Sequence, residues 1–177
     1  METITLAAGC FWCTEAVFSI VKGVENVEPG YTGGSVVNPT YEQVSSGTTG
    51  HAEAVKVTFD SKVISLEEIL EIFFATHDPT SINRQGADVG TQYRSVIFYN
   101  NKTQKIVAEK VIASLNKQKI WENPIVTDVK PLELFYFAEE YHKDYYEKHP
   151  EQAYCQVVIS PKVAKFRQRY ITKLKPI

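Results

Sequence analysis

Apolar and polar positions change period repeatedly along the chain, and each change marks an element. Thr3 to Ala8 reads as a strand. Trp12, Ala16, Val17, Ile20 and Val21 then recur at helical spacing over 12–22, and Gly23 offers a stop. Residues 24–28 read as a second strand. A loop over 29–40 is punctuated by Pro29, Gly30, Gly33, Gly34, Asn38 and Pro39. Thr40 and Gln43 form a capping box for a short helix ending near Gly47. Over 52–59, Val55, Val57 and Phe59 alternate with Lys56 and Thr58, the mark of a half-buried strand. Ser65 and Glu68 repeat the capping box and open a helix with Leu66, Ile69, Leu70, Phe73 and Phe74 inward. Residues 77–92 read as a long polar loop, of a length usually tied to function. A strand over 93–99, an amphipathic helix over 101–118 and one or two strands over 124–137 follow. Residues 139–148 and 161–172 are predicted helical, with a short apolar strand from Cys155 to Ile159 between them. This interleaving predicts an α+β fold, a two-layer sandwich with one sheet face packed on helices.

The chain has 177 residues, 44% of them hydrophobic, enough for one domain spanning 1–177 with its own core. Its 19 basic and 21 acidic residues leave a net charge of −2, and no basic arm or stripe suggests nucleic acid. The cations Lys162, Lys165, Arg167, Arg169, Lys173 and Lys175 read as the solvated face of a last helix. No basic leader opens the chain, and no apolar run approaches the ~20 residues of a membrane span. Three cysteines are too few for a disulfide scaffold. The expectation is a cytoplasmic, soluble monomer, in which a C-x-x-C pair is catalytic or metal-binding rather than structural.

That pair stands in Gly9-Cys10-Phe11-Trp12-Cys13. A turn at Gly9 would set Cys10 at a helix N-terminus, where unpaired N–H groups favour a thiolate. Cys10 is therefore the candidate nucleophile. Cys13, one turn on, is the candidate resolving thiol, although a small apolar packing role competes. Cβ atoms three apart on a helix are ~5–6 Å apart, whereas a disulfide wants roughly 3.5–4.5 Å, so a Cys10–Cys13 bond predicts loosening of the first turn. Phe11 and Trp12 would wall a pocket for a small uncharged group. Cys155 reads as a packed strand cysteine.

Glu53 shares parity with Val55, Val57 and Phe59. A carboxyl forced toward an apolar face has a raised pKa and can serve as a general acid. The alternative, a Glu53 just ahead of the strand and facing solvent, stays equally open from spacing. Tyr31 and Tyr93 each lie beside a loop and could donate to a substrate oxygen while lining a pocket. Asp88, in Gly-Ala-Asp-Val-Gly, suits an Asx turn or cap. His51 and His77-Asp78 invite a metal reading, but Cys10 and Cys13 make only one half-site and no second ligand pair follows.

Together these motifs resemble the type A methionine sulfoxide reductases. The resemblance runs through Gly9-Cys10-Phe11-Trp12, Gly30-Tyr31-Thr32-Gly33-Gly34, Asn38-Pro39-Thr40-Tyr41 and Gly50-His51-Ala52-Glu53. It continues through His77-Asp78-Pro79-Thr80, Asn83-Arg84-Gln85-Gly86, Gln92-Tyr93-Arg94-Ser95, Ala138-Glu139-Glu140-Tyr141-His142 and Pro161-Lys162. It implies a sandwich around a mixed sheet, and reduction of the S epimer of methionine sulfoxide, free or in proteins. Cys10 would be the catalytic cysteine, Phe11 and Trp12 the cradle of the substrate methyl, and Glu53 the acid. Tyr31 and Tyr93 would bind the sulfoxide oxygen, and Asp88 would order the site. No metal or organic cofactor is implied; thioredoxin or another dithiol would be the reductant. Many members carry Gly at the position of Cys13 and resolving cysteines in a C-terminal tail. A variant group with this Gly-Cys-Phe-Trp-Cys sequence is thought to use the nearby cysteine, which supports Cys13. Some members have Cys where this chain has Ser45. Outside the resemblance, the competing readings are a general C-x-x-C thiol–disulfide oxidoreductase and a metal-binding module.

Overall fold

A computed structural model describes all residues, 1–177. Strand β1 (Glu2–Ala8) pairs on one side with β3 (Ala52–Phe59) and on the other with β6 (Ser95–Tyr99), both antiparallel. With β2 (Val24–Thr32), β7 (Asp128–Pro131) and β8 (Phe135–Phe137) they form one six-stranded sheet, ordered β7-β6-β1-β3-β2-β8. Only β6 and β7 run parallel, so the sheet is mixed.

Alternation along the central strands sorts the two faces. Ile4, Leu6, Ala8, Val55, Val57, Phe59 and Ile97 belong to the main core, which α1 (Phe11–Phe18), α3 (Leu66–Ala75) and α4 (Lys102–Gln118) cover through Phe11, Val17, Phe18, Ile69, Leu70, Phe73 and Ala108. The other face carries the smaller cluster of Ala7, Ala52, Ala54, Val96 and Phe98, covered by Leu132 and Phe135. The fold is thus the expected α+β sandwich with helices on one face. Both predicted capping boxes form: Thr40 with Gln43 opens α2 (Tyr41–Ser45), and Ser65 with Glu68 opens α3.

Three segments depart from expectation. Strand β2 continues to Thr32, through Pro29 and Gly30, which read as loop. Gly30 is there because β8 crosses it closely: a Cβ would run into the Phe135 ring and meet the Tyr136 carbonyl at 2.5 Å. Residues Cys155–Ile159 form a π-helical turn continuous with α6 (Ser160–Arg169), not a strand. The buried positions are Cys155 and Ile159, four apart, while Val157 is 73% exposed. A strand would have buried Val157 with them, so the β-branched run misleads and the helical period of burial wins. Residues 139–148 hold only a 3₁₀ turn at Glu140–His142 and the single-turn α5 (Tyr145–Lys148). The polar loop over 77–92 contains a tight hairpin, β4 (Arg84–Gln85) with β5 (Asp88–Val89). No helix is long and apolar enough to cross a membrane.

One buried charge ties α1 to the segment before α5. Glu15 is 3% exposed. Its Oε1 accepts the Asp144 N–H at 2.9 Å, and Lys143 Nζ lies 3.9 Å from its Oε2. Burial pushes this carboxyl up to about 7. Between the ordinary carboxylate value near 4.5 and about 7, the folded chain holds a proton that the unfolded chain has lost. The stabilisation present below that window is lost as pH rises through it. Glu15→Gln keeps the acceptor for Asp144 and removes the charge. Thermal melts should therefore show the variant gaining on the wild type between pH 5 and pH 8; a difference in Tm that does not change with pH would contradict the linkage.

Candidate active site

The site begins where β1 ends. Gly9 has φ +90°, a left-handed turn that also passes beside Gln85: a Cβ on Gly9 would meet that side chain at 2.7 Å. The turn places Cys10 as the N-cap of α1, with extended rather than helical torsions. The Cys10 carbonyl accepts the Cys13 N–H at 3.1 Å and the Thr14 N–H at 3.5 Å, so the first turn is tight. Cys10 is partly exposed and Cys13 buried.

The position of Cys10 follows the sequence reading, but its charge state does not. The Trp12 N–H favours a Cys10 thiolate, as expected of a helix N-terminus. Burial dominates and pushes the thiol well up, helped by a hydrogen bond to Cys13 and by the nearby Glu53. The resting nucleophile is a thiol. Its hydrogen bond, with Lys162 and Tyr154 behind, pulls Cys13 down to about 7.

Glu53 faces inward, as its parity suggested; the solvent-facing alternative is excluded by its 1% exposure. It stands opposite Tyr31 in the β2–β3 register and accepts the Phe11 N–H at Oε1, 3.1 Å away. That N–H, an unpaired donor of the helix first turn, favours the carboxylate. Burial outweighs it and, with Asp88 and Cys13 nearby, pushes Glu53 up to about 8. At neutral pH the carboxyl keeps its proton.

The tyrosines correct one expectation. Tyr93 ends a 3₁₀ turn (Thr91–Tyr93) and is half-buried; burial, then Glu53 and Asp88, raise its pKa. Tyr31 is not a loop residue offering a free hydroxyl. It lies within β2, fully buried, and its Oη donates to Glu139 Oε1 at 2.8 Å. The hydroxyl proton that a sulfoxide oxygen would need is committed. Glu139 Oε2 in turn accepts the Tyr41 N–H at 2.9 Å, so Tyr31 and Glu139 together anchor the start of α2. The tyrosine held this way is Tyr41, whose ring stacks against Phe11 and Trp12 at centroid distances of 6.4 and 6.3 Å. Burial, Glu53 and Cys10 push Tyr41 up to about 12. Tyr41 sits just inside the Thr40–Gln43 capping box, where nothing in local periodicity marks it.

Phe11 is buried and Trp12 half-exposed. Trp12 stacks face to face on Tyr145 at 3.7 Å and donates its indole N–H to His142 Nδ1 at 3.0 Å. His142, also missed from sequence, is fully buried, and burial lowers its pKa, keeping it a neutral acceptor. Asp88, on β5, is no cap: its Oδ2 accepts the Tyr154 hydroxyl at 2.7 Å. Cys155 shares an apolar cluster with Cys13, Ala16 and Tyr145. His51 and His77 have structural partners on both ring nitrogens: Gly34 and Val36 for one, Phe73 and Ser95 for the other. No three His, Cys, Asp or Glu side chains gather in a way that could hold a metal ion.

A thiol, a protonated carboxyl, two tyrosines and an aromatic wall thus converge at one helix end. The family model described as peptide methionine sulfoxide reductase matches residues 2–175. Peptide methionine sulfoxide reductase MsrA of Saccharolobus solfataricus is 58% identical over 99% of this chain and 98% of its own length. The protein of the same name in Deinococcus radiodurans is 55% identical over 98% of this chain and 84% of its own. Among solved structures, Mxr1 from Saccharomyces cerevisiae in reduced form superposes with a TM-score of 0.79 at 36% identity, over 87% of this chain and 88% of that one. A second structure of Mxr1, in complex with Trx2, gives 0.55 at 26% identity, over 81% and 84%. With this site on this fold, and relatives alike along almost their whole length, the chain belongs to the peptide methionine sulfoxide reductase family.

Proposed function

We propose that this chain reduces methionine S-sulfoxide, free or in oxidised proteins, through Cys10, with Glu53 as general acid and Cys13 as resolving thiol. The observation that carries the reading is a buried Glu53 held by the backbone N–H of Phe11, next to Cys10, where burial raises its pKa. The Cys10 sulfur attacks the sulfoxide sulfur. As the S–O bond polarises, Glu53 gives its proton to the oxygen, and the hydroxyls of Tyr93 and Tyr41 stabilise the charge there. Phe11 and Trp12 receive the methyl group. The hydroxyl then passes to the Cys10 sulfur as the substrate S–O bond and the transient Cys10–sulfur bond break; methionine departs, Cys10 is left as a sulfenic acid, and the proton of the Cys10 thiol replaces the one Glu53 gave. Asp88 orders the far side of the pocket through Tyr154.

Cys13 then attacks Cys10, water leaves and a disulfide forms. Cys10 lies outside helical torsions at the cap, so joining it to Cys13 asks only the first turn to loosen. Cys155 packs in the cluster with Cys13 and offers a second route, but it lacks the partners that draw the Cys13 thiol down. The disulfide would be reopened by thioredoxin or another dithiol, in keeping with the complex that Mxr1 forms with Trx2. Every step uses thiols and protons alone, so the reading invokes no metal or organic cofactor. A reducing cytoplasm suits three free cysteines, and the reaction would repair oxidised proteins there.

Reduced protein given excess methionine sulfoxide without recycling reductant should release about one equivalent of methionine and end as Cys10–Cys13. No methionine release, with thiols intact, would leave general disulfide exchange as the better reading. The rate of methionine release should fall as pH rises through about 8, where Glu53 ionises. Glu53→Gln should lose that limb and run roughly 10²- to 10⁴-fold slower; near-normal rates would remove Glu53 as the acid.

Removing both Tyr41 and Tyr93 hydroxyls by double Phe substitution should cost on the order of 10²-fold in methionine release. Tyr31→Phe should chiefly lower Tm, since its proton goes to Glu139. The reverse ranking would restore Tyr31 to the oxygen site. Cys13→Ser should give one turnover of methionine but no thioredoxin-driven cycling, whereas Cys155→Ser should keep both; exchanged outcomes would make Cys155 the resolving thiol.

A further inference from the structure

Cys13 is engaged by a hydrogen-bonded pair whose part in recycling the reaction scheme leaves open. Its Sγ lies 3.8 Å from the Tyr154 hydroxyl. The same hydroxyl is 2.7 Å from Asp88 Oδ2. The Tyr154 hydroxyl is the donor in that bond, so its proton points to Asp88. In the resting state the hydroxyl oxygen can accept the Cys13 S–H, and once that proton leaves the hydroxyl can turn to donate to the thiolate. The chain of bonds therefore runs outward, from Cys13 on α1 through Tyr154, just ahead of the π-helical turn, to Asp88 on β5. The Tyr154 ring is fixed edge-on against Trp12 at 5.9 Å. Lys162 of α6 lines a small cleft with Cys13, Thr14 and Thr76, placing a cation near the same sulfur.

We propose that Tyr154, braced by Asp88, is a positioning residue of the recycling step: it aims the Cys13 sulfur, and its hydroxyl turns to donate to that sulfur as Cys13 passes its proton to the leaving hydroxyl of the Cys10 sulfenic acid. The inference rests on Cys13 being the resolving thiol. In the step, the Cys13–Cys10 S–S bond forms and the S–O bond of the sulfenic acid breaks. The hydroxyl leaves with the proton that Cys13 surrendered, as water, and no outside oxidant or reductant enters. A π-helical turn beginning at the next residue fits this placement, since such turns gather at functional sites.

The groups facing Cys13 come from every side: Cys10 at the cap of α1, Glu53 on β3, Asp88 on β5, Tyr154, Cys155 in the π-helical turn and Lys162 on α6. Cys10, Lys162 and Tyr154 favour its thiolate, and burial and Asp88 oppose it. Losing the Tyr154 hydroxyl removes one of the three favourable groups while keeping the ring against Trp12.

The test is a single turnover of Tyr154→Phe with excess methionine sulfoxide, quenched over time between pH 6 and pH 9. Methionine and the Cys10–Cys13 disulfide are measured in the same samples, and dimedone traps sulfenic acid. Disulfide formation should lag methionine release about tenfold further than in wild type at neutral pH, with Cys10 trapped, and the lag should close at alkaline pH where Cys13 ionises unaided. Disulfide formation that keeps pace at neutral pH would overturn the proposal. So would a lag that is constant with pH, which marks a packing defect. If Tyr154→Phe does not fold, Asp88→Asn carries the readout: the lost brace on Tyr154 should delay the disulfide at neutral pH even though the charge that opposes the Cys13 thiolate is gone, and disulfide formation that keeps pace would overturn the proposal. Cys13→Ser separates the two levels: a Cys10–Cys155 disulfide formed there at wild-type rate would defeat the resolving role of Cys13 itself, and Tyr154 with it.

Discussion

The structure turns on one buried carboxyl. Glu53 lies under the first turn of α1, in a position where an ionised carboxylate is costly. Two effects compete there: the Phe11 N–H stabilises the charged form and burial opposes it. Burial wins, and the group stays protonated at neutral pH. Had the helix end won, the same residue would sit as an anion beside the nucleophile, repelling the thiolate that must form and holding no proton to give. The chemistry depends on the order of these two magnitudes.

The rest of the site is arranged around that carboxyl by pairs of elements that hold one another. Gly9 turns the chain sharply enough for α1 to begin directly over β3. Glu139 holds the buried Tyr31 on one oxygen and the start of α2 on the other, which brings Tyr41 to the aromatic wall. His142 and Tyr145 fix Trp12 by its edge and its face. Each of these contacts joins residues more than ninety positions apart or, for Glu53, forty-two. The pocket is thus built from long-range contacts laid on a sheet whose own register is set by simple alternation.

A second competition governs the two thiols. The resting Cys10 is held up by burial, while Cys13 is drawn down by Cys10, Lys162 and Tyr154. This asymmetry suits the order of events proposed above. Cys10 surrenders its proton when the substrate brings an electrophilic sulfur, and Cys13 is already poised when the sulfenic acid appears. Cys155, buried in the same cluster, lacks those favourable partners.

The sequence by itself determined the elements whose signals are local. The alternation from Val55 to Phe59 marked a strand, with the inward phase of Glu53 as one of two open readings that burial then decided; the two capping boxes marked helix starts; Gly9 before Cys10 marked a nucleophile at a turn. These survive because they depend on torsions and on neighbours two to four residues away. What only the tertiary structure decided involves partners distant in sequence. Tyr31 and Tyr41 look alike as residues beside glycines and prolines, and only Glu139, about a hundred positions on, separates a committed hydroxyl from a tyrosine facing the wall. The run from Cys155 to Ile159 has β-forming side chains, yet it is wound as a helix because its buried positions face α1 four residues apart. The charge of Cys10 likewise reversed the local expectation, since a helix end is visible in sequence whereas desolvation is a property of everything packed around it.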